Sequence, residues 1–168
     1  NMIVYTGSPF ITSIDSPDAD GTYIVGQTVY VRLNFNENII VTGGPPTITF
    51  DTTATGVFLG YAANVMTFRY DILPGNTSLD LNVTSINLNG AVITDASTNL
   101  AVTSLPANNL IVTKDLRIEG GIPYITDITS STPDGYYNEF APNVIINVKF
   151  SEPVFVTLAL PRLPLNVG

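Results

Sequence analysis

Thr28-Val29-Tyr30-Val31-Arg32-Leu33-Asn34-Phe35 is the stretch whose reading decides the fold. Val29, Val31, Leu33 and Phe35 fall on one side of an extended chain, and Tyr30, Arg32 and Asn34 fall on the other. That period of two marks a strand with one buried face. The pattern returns as Val144-Ile145-Ile146-Asn147-Val148-Lys149-Phe150, 115 positions on (Val29 to Val144). Upstream of it, Pro9-Phe10-Ile11-Thr12-Ser13-Ile14 returns as Pro123-Tyr124-Ile125-Thr126-Asp127-Ile128, 114 positions on (Pro9 to Pro123), and Asp20-Gly21-Thr22-Tyr23 returns as Asp134-Gly135-Tyr136-Tyr137. Downstream, Val41-Thr42 matches Val156-Thr157 and Pro46 matches Pro161. Asn1-Met2-Ile3-Val4 resembles Asn109-Leu110-Ile111-Val112. The chain therefore reads as the last strand and linker of one repeat (1–8), a complete repeat (9–118), a linker (119–122) and the N-terminal part of a further repeat (123–168). Tandem arrays of such units serve as spacers, stalks or adhesive surfaces.

Strand signals continue along the complete repeat. Ile39 to Thr42 and Thr47 to Phe50 flank Gly43-Gly44-Pro45-Pro46, a turn that neither a helix nor a central strand accommodates. Val57 to Ala62 and Val65 to Tyr70 read as a hairpin around Ala63-Asn64. After a turn at Leu73-Pro74-Gly75-Asn76, the alternation of Leu79 to Val83 predicts another strand. Short strands are expected at Ile86 to Asn89, Gly90 to Thr94 and Leu100 to Ser104, and a closing strand at Leu110 to Ile118. No window carries apolar residues at helical spacing over three turns. With 13 Gly and 12 Pro punctuating the chain, the expected fold is an all-β antiparallel sandwich with Greek-key connections.

The chain is 45% hydrophobic but only 12% charged, so its polar surface comes from Thr, Ser and Asn, which suits exposed strand faces. Its net charge is −8, and its six basic residues are scattered. Nucleic acid is not an expected partner, because phosphate binding needs clustered Lys and Arg. No long apolar span predicts membrane insertion of this segment. Without Cys there is neither a disulfide nor a thiolate metal site.

The order of motifs resembles a bacterial Ig-like, cadherin-like surface repeat. "Pro-Asp-x-Asp-Gly-x-Tyr" stands at Pro17 to Tyr23, and "Phe-x-Glu-x-Ile-x-Val-Thr-Gly-x-Pro" begins at Phe35. Thr67-Phe68-Arg69-Tyr70 ends a hairpin, Gly75-Asn76-Thr77-Ser78-Leu79-Asp80-Leu81 makes the next step, and Ile93-Thr94-Asp95-Ala96-Ser97-Thr98-Asn99-Leu100-Ala101 forms the last turn. These are similar to repeats of the kind found in the cyanobacterial cell-surface swimming-motility protein. Thr98 departs from the pattern, which carries Gly before that Asn. The resemblance implies Ig-like/cadherin-like sandwich repeats in tandem, export to the cell surface and a role in adhesion, motility or surface coating. It implies no catalytic machinery.

The residues themselves point the same way. Without His or Cys most nucleophile–base pairs are excluded, and no enzyme activity is expected. Asp15, Asp18 and Asp20 share one loop and form a candidate calcium site, since hard oxygen ligands at close spacing suit that ion. Glu119 or Asp127 would be further ligands. The competing reading is an Asx-type turn, with Gly21 and Gly135 supplying positive φ; the matching loop at Thr129 to Gly135 keeps only Asp134. Glu37 and Glu152 are either ligands or polar strand ends. Lys149, whose counterpart is Asn34, is either a cross-linking lysine or an exposed one. Tyr5, Tyr23, Tyr30, Tyr61, Tyr70, Tyr124, Tyr136 and Tyr137 would stack on sugars if aligned on one face. Asn76 and Asn82 head glycosylation-type sequons. The function expected first is that of a non-enzymatic extracellular repeat module, a stalk or adhesive spacer contacting neighbouring repeats. The alternatives are a subunit of a surface filament, in which identical chains complete each other's sheets by strand addition, and a glycan-binding module.

Overall fold

The computed structural model describes residues 7–138, 140, 143–151, 154, 156 and 162–164. The expectations for Asn1 to Val4, Tyr5, Glu152, Thr157 and Pro161 lie outside these residues. The chain divides into two compact units, Asn1–Gly121 and Ile122–Gly168.

The first unit is all-β. Its strands are β1 (Ile11–Asp15), β2 (Gly21–Ile24), β3 (Thr28–Phe35), β4 (Ile40–Thr42), β5 (Thr47–Phe50), β6 (Thr55–Ala62), β7 (Val65–Asp71), β8 (Thr77–Ser78), β9 (Val83–Asn87), β10 (Val92–Thr94) and β11 (Leu116–Glu119). A six-stranded antiparallel sheet runs in the order β1-β3-β7-β6-β5-β9. Over it lie the pair β10-β4 and the three-stranded sheet β2-β11-β8. The architecture is that of a curled β-sandwich. β4 leaves the large sheet between β3 and β5 and crosses to the other layer, where it pairs with β10.

The opening strand behaves as its alternation predicts. Val29, Val31, Leu33 and Phe35 are at most 2% exposed, while Tyr30 is 38% exposed. They meet Met66, Phe68 and Tyr70 of β7, Ile48 and Phe50 of β5, and Ile11 and Ile14 of β1 in one core. From the covering layer, Ile93, Leu110, Leu116 and Ile118 complete it. Tyr70 stacks at a tilt on Phe50, and its hydroxyl meets Thr52 Oγ1 at 3.2 Å, so this buried phenol keeps a polar partner.

Three expected strands take other forms. Leu110 to Ile118 is not one strand: α1 (Leu110–Thr113) is a single helical turn, followed by β11, which pairs parallel to β2. Asn109 starts the turn by accepting the Leu110 N–H, and Lys114 N closes it on the Leu110 carbonyl at 2.9 Å. Thr113 donates its hydroxyl to the Ile14 carbonyl at 2.7 Å. Caps and a buried Leu110 thus override the strand preference of Ile111 and Val112. Leu79 to Val83 is not a strand: Leu81 and Val83 are buried, but Leu79, two positions before Leu81, is 79% exposed, and the segment crosses between layers before β9 begins at Val83. Asp51 captures Asn82 N at 3.1 Å and the Ser78 hydroxyl at 2.6 Å, so side chains replace the ladder there. Leu100 to Ser104 makes only isolated bridges, at Leu100 and Val102.

The second unit contains β12 (Ile125–Ser130) and β13 (Ile146–Phe150). Their pairing follows β1–β3 residue by residue. Ile11 faces Phe35 as Ile125 faces Phe150, and Ile14 faces Leu33 as Ile128 faces Val148. A bulge interrupts both pairs at the same place, Ile11/Ser13 and Ile125/Asp127. Side-chain bonds recur as well. Thr12 and Thr126 donate to the carbonyls of Asn34 and Lys149, and Tyr23 and Tyr137 donate to the carbonyls of Ala19 and Pro133. Burial does not recur: Ile11 and Ile14 are 5% and 0% exposed, Ile125 and Ile128 are 50% and 51%.

Candidate functional site

The acidic loop between β1 and β2 is the strongest sequence candidate, and its three carboxylates point to different partners. Asp15 Oδ1 accepts Arg32 Nε at 2.8 Å across the β1–β3 pair. Asp18 Oδ2 accepts the Tyr30 N–H at 2.6 Å, and the Asp18 N–H donates to the buried Ser16 hydroxyl at 3.1 Å. Asp20 Oδ1 lies 3.6 Å from Lys114 Nζ and accepts the Asp115 N–H at 3.3 Å. Lys114 Nζ also donates to the Asp18 carbonyl at 2.6 Å. A lysine ammonium thus occupies the mouth of the loop and makes the oxygen contacts a bound cation would make. Among the described residues no three acidic side chains converge to hold a metal ion. Glu119 pairs with Arg117 at 2.7 Å instead, and Asp127 belongs to the second unit, opposite Lys149 in the β12–β13 register.

The loop also carries turn chemistry. Gly21 has φ of 149°, a conformation glycine reaches readily, and its N–H is bonded to the Asp115 carbonyl at 2.9 Å. Gly135, in the matching loop, lacks that positive φ, so only one of the two glycines is required for its backbone. Tyr23 packs over the loop; burial first, and then the neighbouring Asp18 and Asp20 charges, push its phenol above the ordinary value.

Sequence reasoning quoted the Asp95 turn without singling out its centre. Asp95 is 3% exposed. Its Oδ1 accepts the N–H groups of Ser97 and Asn99 at 2.8 Å each, and its Oδ2 accepts Asn99 Nδ2 at 2.8 Å. Burial works to raise this carboxyl, but the bonds from Asn99 and Ser97 outweigh it and hold the group below its ordinary value. The spacing Asp-x-Ser-x-Asn was the available signal. Thr98, inside this turn, adopts φ of 67°.

Among the described residues the remaining candidates do not assemble into a site. Glu37 accepts from Asn36 Nδ2, its neighbour in the chain, at 3.3 Å. Lys149 is exposed on β13. Tyr70 is buried, while Tyr30 and Tyr61 lie opposite Arg69 and Met66 respectively, toward different ends of the sheet and not in a strip. Tyr124 and Tyr136 are exposed in the second unit. Asn76 and Asn82 accept backbone N–H groups, of Leu73 at 3.0 Å and of Ile111 at 3.5 Å, so both amides have structural roles.

The course of the chain through the first unit has a direction. Ile11 pairs at the Phe35 end of β3, where Asn36 N donates to the Phe10 carbonyl. β11 ends at Glu119, level with Ile24 and Thr77, beside the turn that precedes Thr28. Gly120 is bonded there to Asn76 O through its N–H at 2.7 Å. The chain therefore comes in at one pole of the sandwich and leaves at the other, one full length of β3 apart. Comparison with family models, curated proteins and solved structures finds no match for this chain.

Proposed function

We propose that this chain is a non-enzymatic spacer module of a prokaryotic surface or secreted protein, built from Ig-like, cadherin-like sandwich repeats in tandem. The observation that carries this reading is the pole-to-pole course of the first unit. A domain threaded this way adds its own length to the chain of domains. The eight residues of β3 alone span about 26 Å at roughly 3.3 Å per residue. The tandem reading is supported by the shared register, bulge and side-chain bonds of β1–β3 and β12–β13. The extracellular address and the surface role rest on the sequence resemblance.

Small-angle scattering on chains carrying added copies of residues 9–122 tests the proposal. The longest dimension is expected to grow by at least about 26 Å per copy. Growth only as fast as a compact sphere would swell would overturn it.

A further inference from the structure

We propose that Asn89 is a self-modification site, where attack by the Gly90 amide converts the asparagine to aspartate and isoaspartate at a rate set by two turns that clasp it. This does not depend on the spacer reading. It follows from the geometry of Asn89 and Gly90 against Gly43 to Thr47.

The two turns stand side by side. Gly43 to Pro46 carries the chain from β4 in the covering layer to β5 in the large sheet, and Leu88 to Ala91 carries it back from β9 to β10. Asn89 and Gly90 adopt φ of 50° and 81°, close to the roughly 60° and 90° of a type I′ turn. Ala91 N closes that turn on the Leu88 carbonyl at 2.8 Å. Asn89 Nδ2 reaches across to the other turn and donates to the Pro45 carbonyl at 3.3 Å and to Thr47 Oγ1 at 3.2 Å. The Asn89 N–H donates to Asn87 Oδ1 at 3.0 Å. The main chains touch as well: a Cβ on Gly43 would run into the Gly90 carbonyl, and one on Gly44 into the Asn89 carbonyl.

The pair carries its own chemistry. Both residues are exposed to water, and Gly90 has no side chain to shield its amide. Hydroxide takes the Gly90 N–H proton, and the nitrogen attacks Asn89 Cγ. The N–Cγ bond forms, the Cγ–Nδ2 bond breaks, and Nδ2 takes a proton from water and leaves as ammonia. Water then opens the succinimide ring at either carbonyl carbon, which gives aspartate or isoaspartate. Ring closure has to turn Asn89 out of the type I′ conformation and take Nδ2 off both acceptors, so the clasp sets the rate. The products undo the clasp. An ionised aspartate has no donor for the Pro45 carbonyl, and isoaspartate lengthens a main chain that already touches Gly43 and Gly44.

The test holds the full chain in weakly alkaline buffer and follows each asparagine by peptide mapping that separates aspartate from isoaspartate. A peptide of residues 84–95 in the same buffer supplies the unclasped rate. Asn89 is expected to be the first asparagine of the folded chain to convert, and the peptide to convert at least about tenfold faster, since the chain must first open locally. Thr47→Val removes one acceptor and is expected to speed conversion in the folded chain about fivefold, the factor for one net hydrogen bond. Asn89→Asp, which places the first product in the turn, is expected to lose amide-exchange protection at Ala91. Equal rates in chain and peptide would overturn the proposal, and that comparison needs no variant to fold. So would conversion at another asparagine first, or a Thr47→Val chain that converts no faster than wild type.

Discussion

Ile14 and Ile128 are the same residue at equivalent register positions, opposite Leu33 and Val148 respectively, yet the first is fully buried and the second is 51% exposed. Replacing each with alanine isolates what burial contributes. Ile→Ala removes three carbons, about 2.4 kcal/mol at roughly 0.8 kcal/mol per buried CH₂. At Ile14 a cavity term adds to this, since Val31, Leu33 and Leu110 around it are held by the rest of the core; about 3–4 kcal/mol is expected, within the range for such changes. At Ile128 water fills the space and half the transfer is already forgone, leaving roughly 1 kcal/mol. Calorimetry on the full chain checks both. Ile14→Ala is expected to lower the main unfolding midpoint by about 10 °C or more, and Ile128→Ala to leave that transition in place. An equal loss from both would mean that the β12–β13 face is covered, which would refute the burial argument.

Thr98 sits exposed at φ of 67°, where a non-glycine residue bears a cost of about 1–2 kcal/mol. Thr98→Gly relieves this and loses about 0.5–1 kcal/mol to backbone entropy, so a net gain of about 0.5–1 kcal/mol is expected in urea unfolding, while Thr22→Gly in β2 is expected to destabilise; a loss at Thr98 would show that no strain is stored there. Asp95 has a folded pKa below its ordinary value near 3.8. Its contribution is present in full above that value and is lost as pH falls through the depressed one. The stability gap between wild type and Asp95→Asn, measured by denaturant unfolding from pH 6 downward, is therefore expected to narrow in acid; a gap that widens there would contradict the assigned bonds. Because Lys114 fills the loop of Asp18 and Asp20, the thermal midpoint of the first unit is expected to be the same in calcium and in chelator, and a midpoint that falls on chelation would place an ion in that loop.

The sequence was legible wherever the deciding interactions were local or periodic. The alternation of Val29 to Phe35 fixes which face is buried, because the strand period leaves no other choice once one face is apolar. The hairpin around Ala63-Asn64 and the turn at Gly43 to Pro46 were readable for a similar reason. Reading failed where a distant group made the choice. Lys114 reaches the acidic loop only because β11 runs parallel beside β2, and nothing near Asp18 or Asp20 in the sequence announces it. The single turn of α1 depends on Asn109 and on burial of Leu110 against β1, not on the preferences of Ile111 and Val112.

The two copies of the opening pattern separate these two kinds of information. Residues 11–15 with 28–35 and residues 125–130 with 146–150 reach the same register, the same bulge and the same Thr and Tyr side-chain bonds. Register is therefore encoded in the strand pair itself. Burial is not, because the atoms that cover Ile14 and Leu33 come from β7 and from Leu110, Leu116 and Ile118, far along the chain. A strand pair that keeps its geometry without its cover has already ordered its backbone. Full burial at Ile14 and 51% exposure at Ile128 therefore measure what the covering residues add beyond register.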